Sequence, residues 1–522
     1  MDSIRIETAR NGLTTARRGE RYVHSAYDPG REAARFLDAR IQDIPEASTV
    51  VILGAGLGYL DRRLGEERPS CRIIAVHLDS ILFEHALGSP GTEGSSASRG
   101  KVLRWHPGQG DIESFLYTVI QETAIPGLRV IEWPGACDAL PETARAVRSA
   151  LAAVVRRHTG NISATAAFGR LWIRNAFRNF LETDDVAVHR PGTEAVVLAA
   201  SGPSLESVLP TLRRCRRSYR LWALPSSLAA LGRASLRPDL VFMTDSGLWA
   251  RLHGRYLDSG IPVAMPLSAA PLPRGCGPRV LLTQGTPGED ELLATGAWPV
   301  LGIEATGTVA AAAVTAWKSG PPRPMFLAGL DLGWTDLRSH VRPHSFDGWL
   351  AALSGRLAPA HHVAWTRARL QAPRRSKSRR VGGALETYAD WFRRTEYPAP
   401  IFRLLGDRDE SDRVDIGIPD AEAGALESYL PRAGRPTSVD VRPAPIDRDA
   451  RRAAIRQLVN RWRRSLAESE DAVPGIGDLA YALDPGGILE IRRSAGRDRD
   501  AARARHRDTL AAALAGLEPR DA

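Results

Sequence analysis

Apolar and polar residues alternate along the middle of the chain in a pattern that predicts strands, sharp turns and helices in succession. The clearest example covers residues 196–214. Five apolar residues at 196–200 predict a buried parallel strand, because such strands are covered on both faces. A Ser-Gly-Pro-Ser sequence at 201–204 interrupts the run, and leucine and valine then recur at helical spacing up to residue 212. The pattern therefore predicts a strand, a turn and an amphipathic helix.

The predicted turn has residues suited to binding an anion. Gly202 permits a sharp bend and the close approach of a ligand, Pro203 fits the first turn of a helix, and Ser204 supplies a hydroxyl. The free N–H groups and the positive dipole end of the helix would point at one position, which favours a phosphate. A plain turn that binds nothing is the alternative, and local chemistry does not separate the two.

The same alternation of strands and helices continues to about residue 336. Apolar runs predict further strands at 221–225, 240–243, 262–266, 280–282 and 324–328. Such an order predicts a mainly parallel sheet with helices on both faces, and ligands bind these sheets outside the carboxyl ends of the strands. Polar residues follow several of these runs, namely Ser226, Asp245 and Asp331.

An earlier strand–helix unit carries a glycine-rich turn. An apolar strand at 48–53 precedes Gly54, Gly56 and Gly58, and a second strand at 72–76 is followed by Asp79. This is the layout of a nucleotide-binding βαβ unit, with the acid about 20 residues beyond the last glycine where a ribose hydroxyl would lie. The G-x-G-x-G spacing favours a methyltransferase-like turn over a dinucleotide-binding one. A βαβ unit that binds nothing is the alternative.

The patterns predict an α/β protein with three segments. Residues 1–185 are predicted to be a Rossmann-like domain that begins with a polar lead-in and is closed by helices. Residues 186–400 are predicted to be a central domain built on the parallel sheet. Residues 401–522 are predicted to be mainly helical, because charged and apolar residues recur at helical spacing there.

Composition narrows the possible partners of the chain. The 522 residues include 43% hydrophobic and 25% charged residues, which is typical of a globular protein. The formal net charge of +10 fits an anionic ligand or an acidic partner. Basic residues do not form a stripe interleaved with aromatic side chains, so nucleic acid is not expected as a partner.

Cysteine usage and the N-terminus predict a cytoplasmic protein. The four cysteines are far apart and form no C-x-x-C pair, so neither a zinc site nor a disulfide framework is expected, and no metal-binding residue is assigned. The first 25 residues lack the apolar segment of a signal peptide, and no apolar run approaches the 18 or so residues of a membrane span. We therefore expect a chain that is neither exported nor membrane-bound.

Six stretches are similar, in the same order, to motifs of the motility accessory factor (Maf) family of flagellin glycosyltransferases. They are LGAGLGYL at 53–60, WIRNAFRNF at 172–180, SGPSL at 201–205, RPDLVFMTD at 237–245, GTVAAAAVTAW at 307–317 and FLAGLDLGWTDLRSH at 326–340. The family shares its central domain with archaeal 6-hydroxymethylpterin diphosphokinase (MptE-like) proteins. The likeness spans residues 50 to about 345.

The resemblance implies a three-layer αβα central domain similar to bacterial sialyltransferases. It also implies transfer of a nonulosonic acid from a CMP-activated donor to Ser or Thr hydroxyls of flagellin, in the cytoplasm before export. The donor nucleotide would contact the turn, the ends of the next two strands and a helix start, that is Gly202, Pro203, Ser204, Ser226, Asp245, Thr306 and Thr308.

Acid–base chemistry would fall to the residues after the last central strand. By the resemblance, Asp331 and His340 are the catalytic candidates, since an acceptor hydroxyl must lose its proton and His is the usual group at neutral pH. A surface-loop histidine is the alternative interpretation of His340. Other histidines follow closely, namely His344, His361 and His362.

Two further functions stay open at this point. A pterin diphosphokinase would transfer a pyrophosphoryl group from ATP and would recruit Mg²⁺, with Asp245 and Asp331 as ligands. Alternatively, the N-terminal glycine turn binds S-adenosylmethionine or nothing, and the chain is a scaffold for flagellar assembly. The sequence does not indicate the sugar, the acceptor residues or the oligomeric state.

Overall fold

The computed structural model describes residues 3–46, 48–88, 102–273, 275–302, 308–335, 337–372, 374–376, 379–406, 414–429, 438–468, 476–494 and 496–517. The chain divides into two compact units. The first is Met1–Ala167 with Leu483–Leu510, and the second is Phe168–Ala482 with Ala511–Ala522.

This division differs from the expected segments 1–185, 186–400 and 401–522. The first boundary falls inside a helix, because the C-terminal part of that helix packs with the second unit. The last segment is shared between the two units instead of standing alone. Its strands extend the second unit's sheet, whereas Leu483–Leu510 packs with the first unit.

The first unit begins with a small antiparallel sheet where the sequence was expected to be a polar lead-in. Its strands are β1 (Ile4–Thr8), β2 (Thr14–Arg18) and β3 (Arg21–Tyr22). Helix α1 (Pro29–Asp38) follows, with the Asp28 carboxylate accepting a hydrogen bond from the Arg31 amide at its N-terminus. The expectation was wrong because only Ile4 and Ala16 of β1 and β2 are prominent core residues, which leaves a weak apolar pattern.

A parallel sheet forms the core of the first unit. Its strands are β4 (Thr49–Leu53), β5 (Arg72–Val76), β6 (Val102–Trp105) and β7 (Arg129–Glu132), in the order β6-β5-β4-β7. The connecting helices are α2 (Tyr59–Glu67), α3 (Ser80–Gly88), α4 (Ile112–Val119) and α5 (Pro134–Ala139), followed by the 42-residue helix α6 (Pro141–Glu182). The predicted βαβ unit is present.

The second unit contains a larger sheet. Its strands are β8 (Asp185–Arg190), β9 (Val196–Ala199), β10 (Arg220–Ala223), β11 (Leu240–Phe242), β12 (Val263–Pro266), β13 (Arg279–Thr283), β14 (Val300–Gly302), β15 (Met325–Ala328), β18 (Ile401–Leu405), β19 (Asp420–Glu422) and β20 (Ser438–Pro443), with a separate hairpin of β16 (Arg374–Ser376) and β17 (Arg379–Val381). The main path is β19-β18-β15-β9-β10-β11-β12-β13-β8-β20, and β14 also pairs with β13. Within the described ranges, only β20 runs antiparallel to its neighbour in this sheet.

Helices cover both faces of this sheet. They are α7 (Leu205–Arg214), α8 (Leu228–Arg233), α9 (Leu248–His253), α10 (Glu289–Ala294), α11 (Val309–Lys318), α12 (Asp347–Ala352), α13 (Ala360–Gln371), α14 (Gly383–Arg394) and α15 (Leu426–Tyr429). Side chains of α7 and α8 pack on one face and those of α11 and α14 on the other, because successive strand residues point to opposite faces. The unit therefore has three layers.

The described residues from 448 onward lie mainly in helices. These helices are α16 (Arg448–Glu468), α17 (Ile476–Leu483), α18 (Pro485–Arg493) and α19 (Gly496–Ala515). The expectation of a mainly helical region does not extend to residues 401–443, where β18, β19 and β20 lie. In the described part of the chain, none of the helices has both the length and the apolar character needed to cross a bilayer.

Candidate functional site

The sheet of the second unit changes its winding direction at β9. From β9 the chain continues through β10 to β13 on one side, and it returns through β15 to β18 and β19 on the other. The crevice outside the carboxyl ends of the strands at such a switch point is where open α/β sheets bind ligands. The loops that follow β9, β10 and β15 carry many of the predicted site residues.

Ser204 and Asp331 are in direct contact at this switch point. The Ser204 amide donates to Oδ2 of Asp331 over 2.8 Å, and the Ser204 hydroxyl donates to Oδ1. Asp331 is only 4% exposed and Ser204 only 8%. The adjacent Gly202 amide donates to the Gly329 carbonyl over 2.7 Å, so the loops after β9 and β15 form one hydrogen-bonded body.

The space left by the absent side chain of Gly202 is occupied by the carboxylate of Asp331. A Cβ atom at Gly202 would lie 2.6 Å from Oδ2 of Asp331 and 2.6 Å from the Gly329 carbonyl oxygen. The Ser204 amide, predicted to face a phosphate, is therefore already bound to Asp331. In this geometry Asp331 orders the turn.

A second serine pair continues the cluster along the sheet edge. The Ser226 hydroxyl, after β10, donates to Oγ of Ser201 over 2.9 Å. Thr308 is the residue directly before α11, whereas Thr306 lies outside the described residues. The structure thus joins Ser226 to the turn, and Thr308 lies in a separate loop.

Asp245 follows β11 at the carboxyl edge of the sheet. Its side chain is exposed to solvent, yet the surrounding protein desolvates it enough to raise its pKa. The charge of Asp245 in turn contributes to a raised pKa at Tyr388 on α14, after the larger effect of burial. Tyr388 was missed at the sequence level, because only the fold brings it close to Asp245.

The loop after Asp331 carries His340 to the same turn. The Val341 amide donates to the Ser201 carbonyl over 2.7 Å. Glu206 on α7 fixes the loop from the other side, since its Oε1 accepts from the Arg338 guanidinium over 2.7 Å and from the Arg342 amide over 2.9 Å. His340 is therefore held beside the Ser201–Ser204 turn.

Three imidazoles pack together here, His340 and His344 from this loop and His253 from the end of α9. The His340 and His344 ring centroids are 4.3 Å apart, and those of His253 and His344 are 5.1 Å apart. The Ser339 hydroxyl is 2.7 Å from Nδ1 of His340. Burial, followed by the neighbouring imidazole, lowers the pKa of His340 to about 3 and the pKa values of His253 and His344 to about 4. The three rings are neutral at pH 7.

The candidates His361 and His362 lie elsewhere. Both are on α13 and are exposed. Within the described ranges, no group of three or more His, Cys, Asp or Glu side chains is arranged to hold a metal ion.

Two asparagines of the WIRNAFRNF stretch brace loops at the carboxyl edge of the sheet. The Asn175 amide donates to the carbonyls of Ser246 and Ser268. The Asn179 amide donates to the carbonyls of Leu267 and Ala269, over 2.8 Å in each case. Both side chains are buried, so they fix the loops after β11 and β12 without facing a ligand. The WIRNAFRNF stretch was noted in the sequence, but the hydrogen bonds of its asparagines to these loops were not predicted.

The glycine turn of the first unit is filled by His24. Gly54, Gly56 and Gly58 all have positive φ, as the predicted tight turn requires. The Leu57 amide donates to Nε2 of His24 over 2.9 Å, and a Cβ at Gly56 would lie 2.2 Å from that atom. The position where a ligand would approach this turn is taken by the chain's own imidazole, which desolvation keeps neutral with a pKa of about 3.

Asp79 has a structural role in the same unit. Its Oδ1 accepts from the Ile81 amide over 2.8 Å, at the start of α3. The acid predicted to bind a ribose hydroxyl therefore caps a helix.

Comparisons with known proteins address the fold. No family model matches the sequence. An uncharacterized protein of Treponema pallidum (strain Nichols) is 27% identical over 238 residues, which cover 45% of this chain and 52% of that protein. The match thus spans about half the length of this relative. The structure of a MAf glycosyltransferase from Magnetospirillum magneticum AMB-1 aligns with 99% of this chain and 87% of its own, at 13% identity and a TM-score of 0.53. The chain has the fold of a Maf glycosyltransferase.

Proposed function

We propose that the chain is a glycosyltransferase that moves a nonulosonic, sialic-acid-like sugar from a CMP-activated donor to Ser or Thr hydroxyls of a flagellin. The Maf fold supports glycosyl transfer, and the ordered stretches from residue 53 to residue 340 support this donor and acceptor. We further propose that the reaction takes place in the cytoplasm.

The observation that carries the proposal is the hydrogen bond between the Val341 amide and the Ser201 carbonyl. It holds a histidine loop against the turn at the switch point of the sheet. A donor bound outside the carboxyl ends of β9 and β10 would therefore lie beside an imidazole.

The proposed chemistry uses His340 as the proton acceptor. The bond between the anomeric carbon and the donor phosphate breaks, and the electron pair leaves with CMP. The acceptor oxygen bonds to the anomeric carbon and passes its proton to Nε2 of His340, because Ser339 engages Nδ1. Asp331 and Ser204 act as positioning residues that keep the turn in place.

The low pKa of His340 gives this proposal a specific electrostatic requirement. An imidazole with a pKa of about 3 is a weak base at pH 7. The carboxylate and phosphate of the donor would raise that pKa, because a nearby negative charge stabilises the imidazolium. His340 would therefore become an effective base only when the donor is bound.

Asp331 also bears on the diphosphokinase alternative. Both of its carboxylate oxygens accept hydrogen bonds from Ser204 and the side chain is only 4% exposed, which leaves little room at Asp331 for a Mg²⁺ ion that keeps its waters. This geometry favours the glycosyltransferase over a kinase that uses Asp331 and Asp245 as metal ligands.

The direct test is incubation with purified flagellin and a CMP-nonulosonate, followed by intact mass measurement of the flagellin. We expect a mass gain of one sugar per modified site. His340→Gln should lower the rate about 10²–10⁴-fold, the usual contribution of a general base. The matched control is His361→Gln, an exposed change on α13. ATP consumption on a pterin alcohol without any mass gain would establish the kinase instead.

A further inference from the structure

A groove of about 470 Å³ runs beside the histidine loop of the second unit. Residues from both ends of α8 and from the turn after it form one wall, and residues of the segment 255–261 form the other. Its floor is apolar, because Leu228, Leu236 and Ile261 line it and are nearly fully buried.

Two exposed guanidinium groups lie at the rim of this groove. Arg233 ends α8 and Arg255 lies in the opposite wall, and both are exposed. Within the described part of the chain, neither has an ion pair or a hydrogen bond through its side chain. Asp258 is the one acidic residue in the lining, so the rim carries an excess of positive charge.

The groove extends from the histidine loop toward the amino edge of the sheet. At one end it is lined by Pro343, which directly precedes His344. At the other end it reaches Pro238 and Ile261, which precede β11 and β12 at the amino edge of the sheet. A nucleotide binds at the carboxyl edge, so the donor does not account for this groove.

We propose that the groove binds an acidic, partly apolar segment of the polypeptide acceptor, next to the hydroxyl that is modified. This inference rests on the proposed function, because it takes the acceptor to be a polypeptide. A six-residue helix is about 9 Å long, and an extended chain covers that length with about three residues. Carboxylates of the segment pair with Arg233 and Arg255, and an apolar side chain lies on the floor.

The test measures peptide binding to the full chain without any donor. The probes are fluorescein-labelled Leu-Asp-Ser-Glu-Leu and its amide counterpart Leu-Asn-Ser-Gln-Leu, followed by fluorescence anisotropy at low salt. We expect the acidic peptide to bind at least about fivefold more tightly, as two exposed charge pairs allow. The variant Arg233→Gln/Arg255→Gln should lose this preference.

The matched control is Arg213→Gln/Arg251→Gln, which removes the same charge from exposed positions outside the groove. It should keep the preference. Equal binding of both peptides to the unmodified chain, or a preference that survives in the groove variant, would overturn the proposal. Displacement of the peptide by an equal concentration of N-acetylaspartate would do the same, because it would reduce the groove to a small-anion site.

The experiments distinguish a failure of the groove assignment from a failure of the proposed function. The groove variant should still release CMP from the donor by hydrolysis at the unmodified rate, since it does not alter the switch point. Flagellin modification combined with non-selective peptide binding would defeat only the groove assignment. Selective peptide binding without sugar transfer would defeat only the glycosyltransferase proposal.

Discussion

The carboxylate of Asp331 accepts hydrogen bonds from both the amide and the hydroxyl of Ser204. The two residues are 127 positions apart in the sequence. This contact joins the loop after β9 to the loop after β15, so one buried acid links the two loops at the switch point. Removing the acid or its donor should therefore affect stability and transfer together.

Asp331→Asn should destabilise the second unit by about 1.5–3 kcal/mol, the usual contribution of a hydrogen bond to a charged group. The new amide group would face a donor from Ser204 instead of accepting from it. Denaturant unfolding measures the change, and Ser319→Ala is the control because its hydroxyl bonds only within its own turn. Unchanged stability in Asp331→Asn would contradict the pairing.

Gly202→Ala should distort the same turn. The added Cβ would lie 2.6 Å from a backbone carbonyl, and backbone cannot move aside as a flexible side chain can. We expect a loss of more than about 2 kcal/mol, within the range of severe steric changes. Gly160→Ala is the control, since its Cβ would meet no atom and alanine stabilises a helix interior by up to about 1 kcal/mol.

Gly56 and His24 should show strong energetic coupling. Gly56→Ala introduces both backbone strain at φ +57 and a clash with Nε2 of His24. In a His24→Ala background only the strain remains, so the double-mutant cycle should give a coupling above about 1 kcal/mol. Gly12→Ala, at φ +85 with nothing within 4 Å, reports the strain alone. Additive effects of the two changes would show that His24 does not fill the turn.

The stability of the second unit should fall as pH drops below about 6.5, the pKa of an ordinary histidine. Burial holds the folded pKa values of His253, His340 and His344 at about 3 to 4. Between these values the unfolded chain binds protons that the folded rings do not, so acid favours unfolding, and above pH 6.5 these groups contribute no pH dependence.

The variant His344→Phe separates the contribution of this ring to the pH dependence of stability from that of the other buried histidines. The drop in Tm between pH 7 and pH 5 should shrink by about 1–2 °C, the shift expected for roughly 1 kcal/mol in a unit of this size. His361→Phe, at an exposed position, should leave the drop unchanged. A pH dependence that is identical in both variants would place His344 outside the buried cluster.

Buried strands were predictable from the sequence because they are continuous apolar runs. The predicted strand at 72–76 matches β5, and that at 262–266 differs from β12 by one residue. Strands β8 and β20 were missed because each has only two or three apolar residues among charged and polar ones. Short or edge strands carry too few apolar residues to be told from loops.

The sequence placed candidate residues at strand ends, but it did not predict the contacts that they make. Strand ends pointed to Ser204, Ser226 and Asp331, since the carboxyl ends of parallel strands meet at one edge. That Asp331 would bind the turn, and that His24 would fill the N-terminal glycine turn, depends on contacts between distant parts of the chain. Local patterns contain no information on such contacts.

The antiparallel pairing of β20 with β8 has a consequence for how the protein is made. The two strands lie about 250 residues apart, and β20 covers the backbone edge that β8 would otherwise present to other chains. At about 5–20 residues per second, the ribosome needs roughly 10 to 50 s to reach β20 after β8 has been made. During that interval the nascent sheet has an open edge, so chaperone occupancy is most needed before residue 443 has emerged.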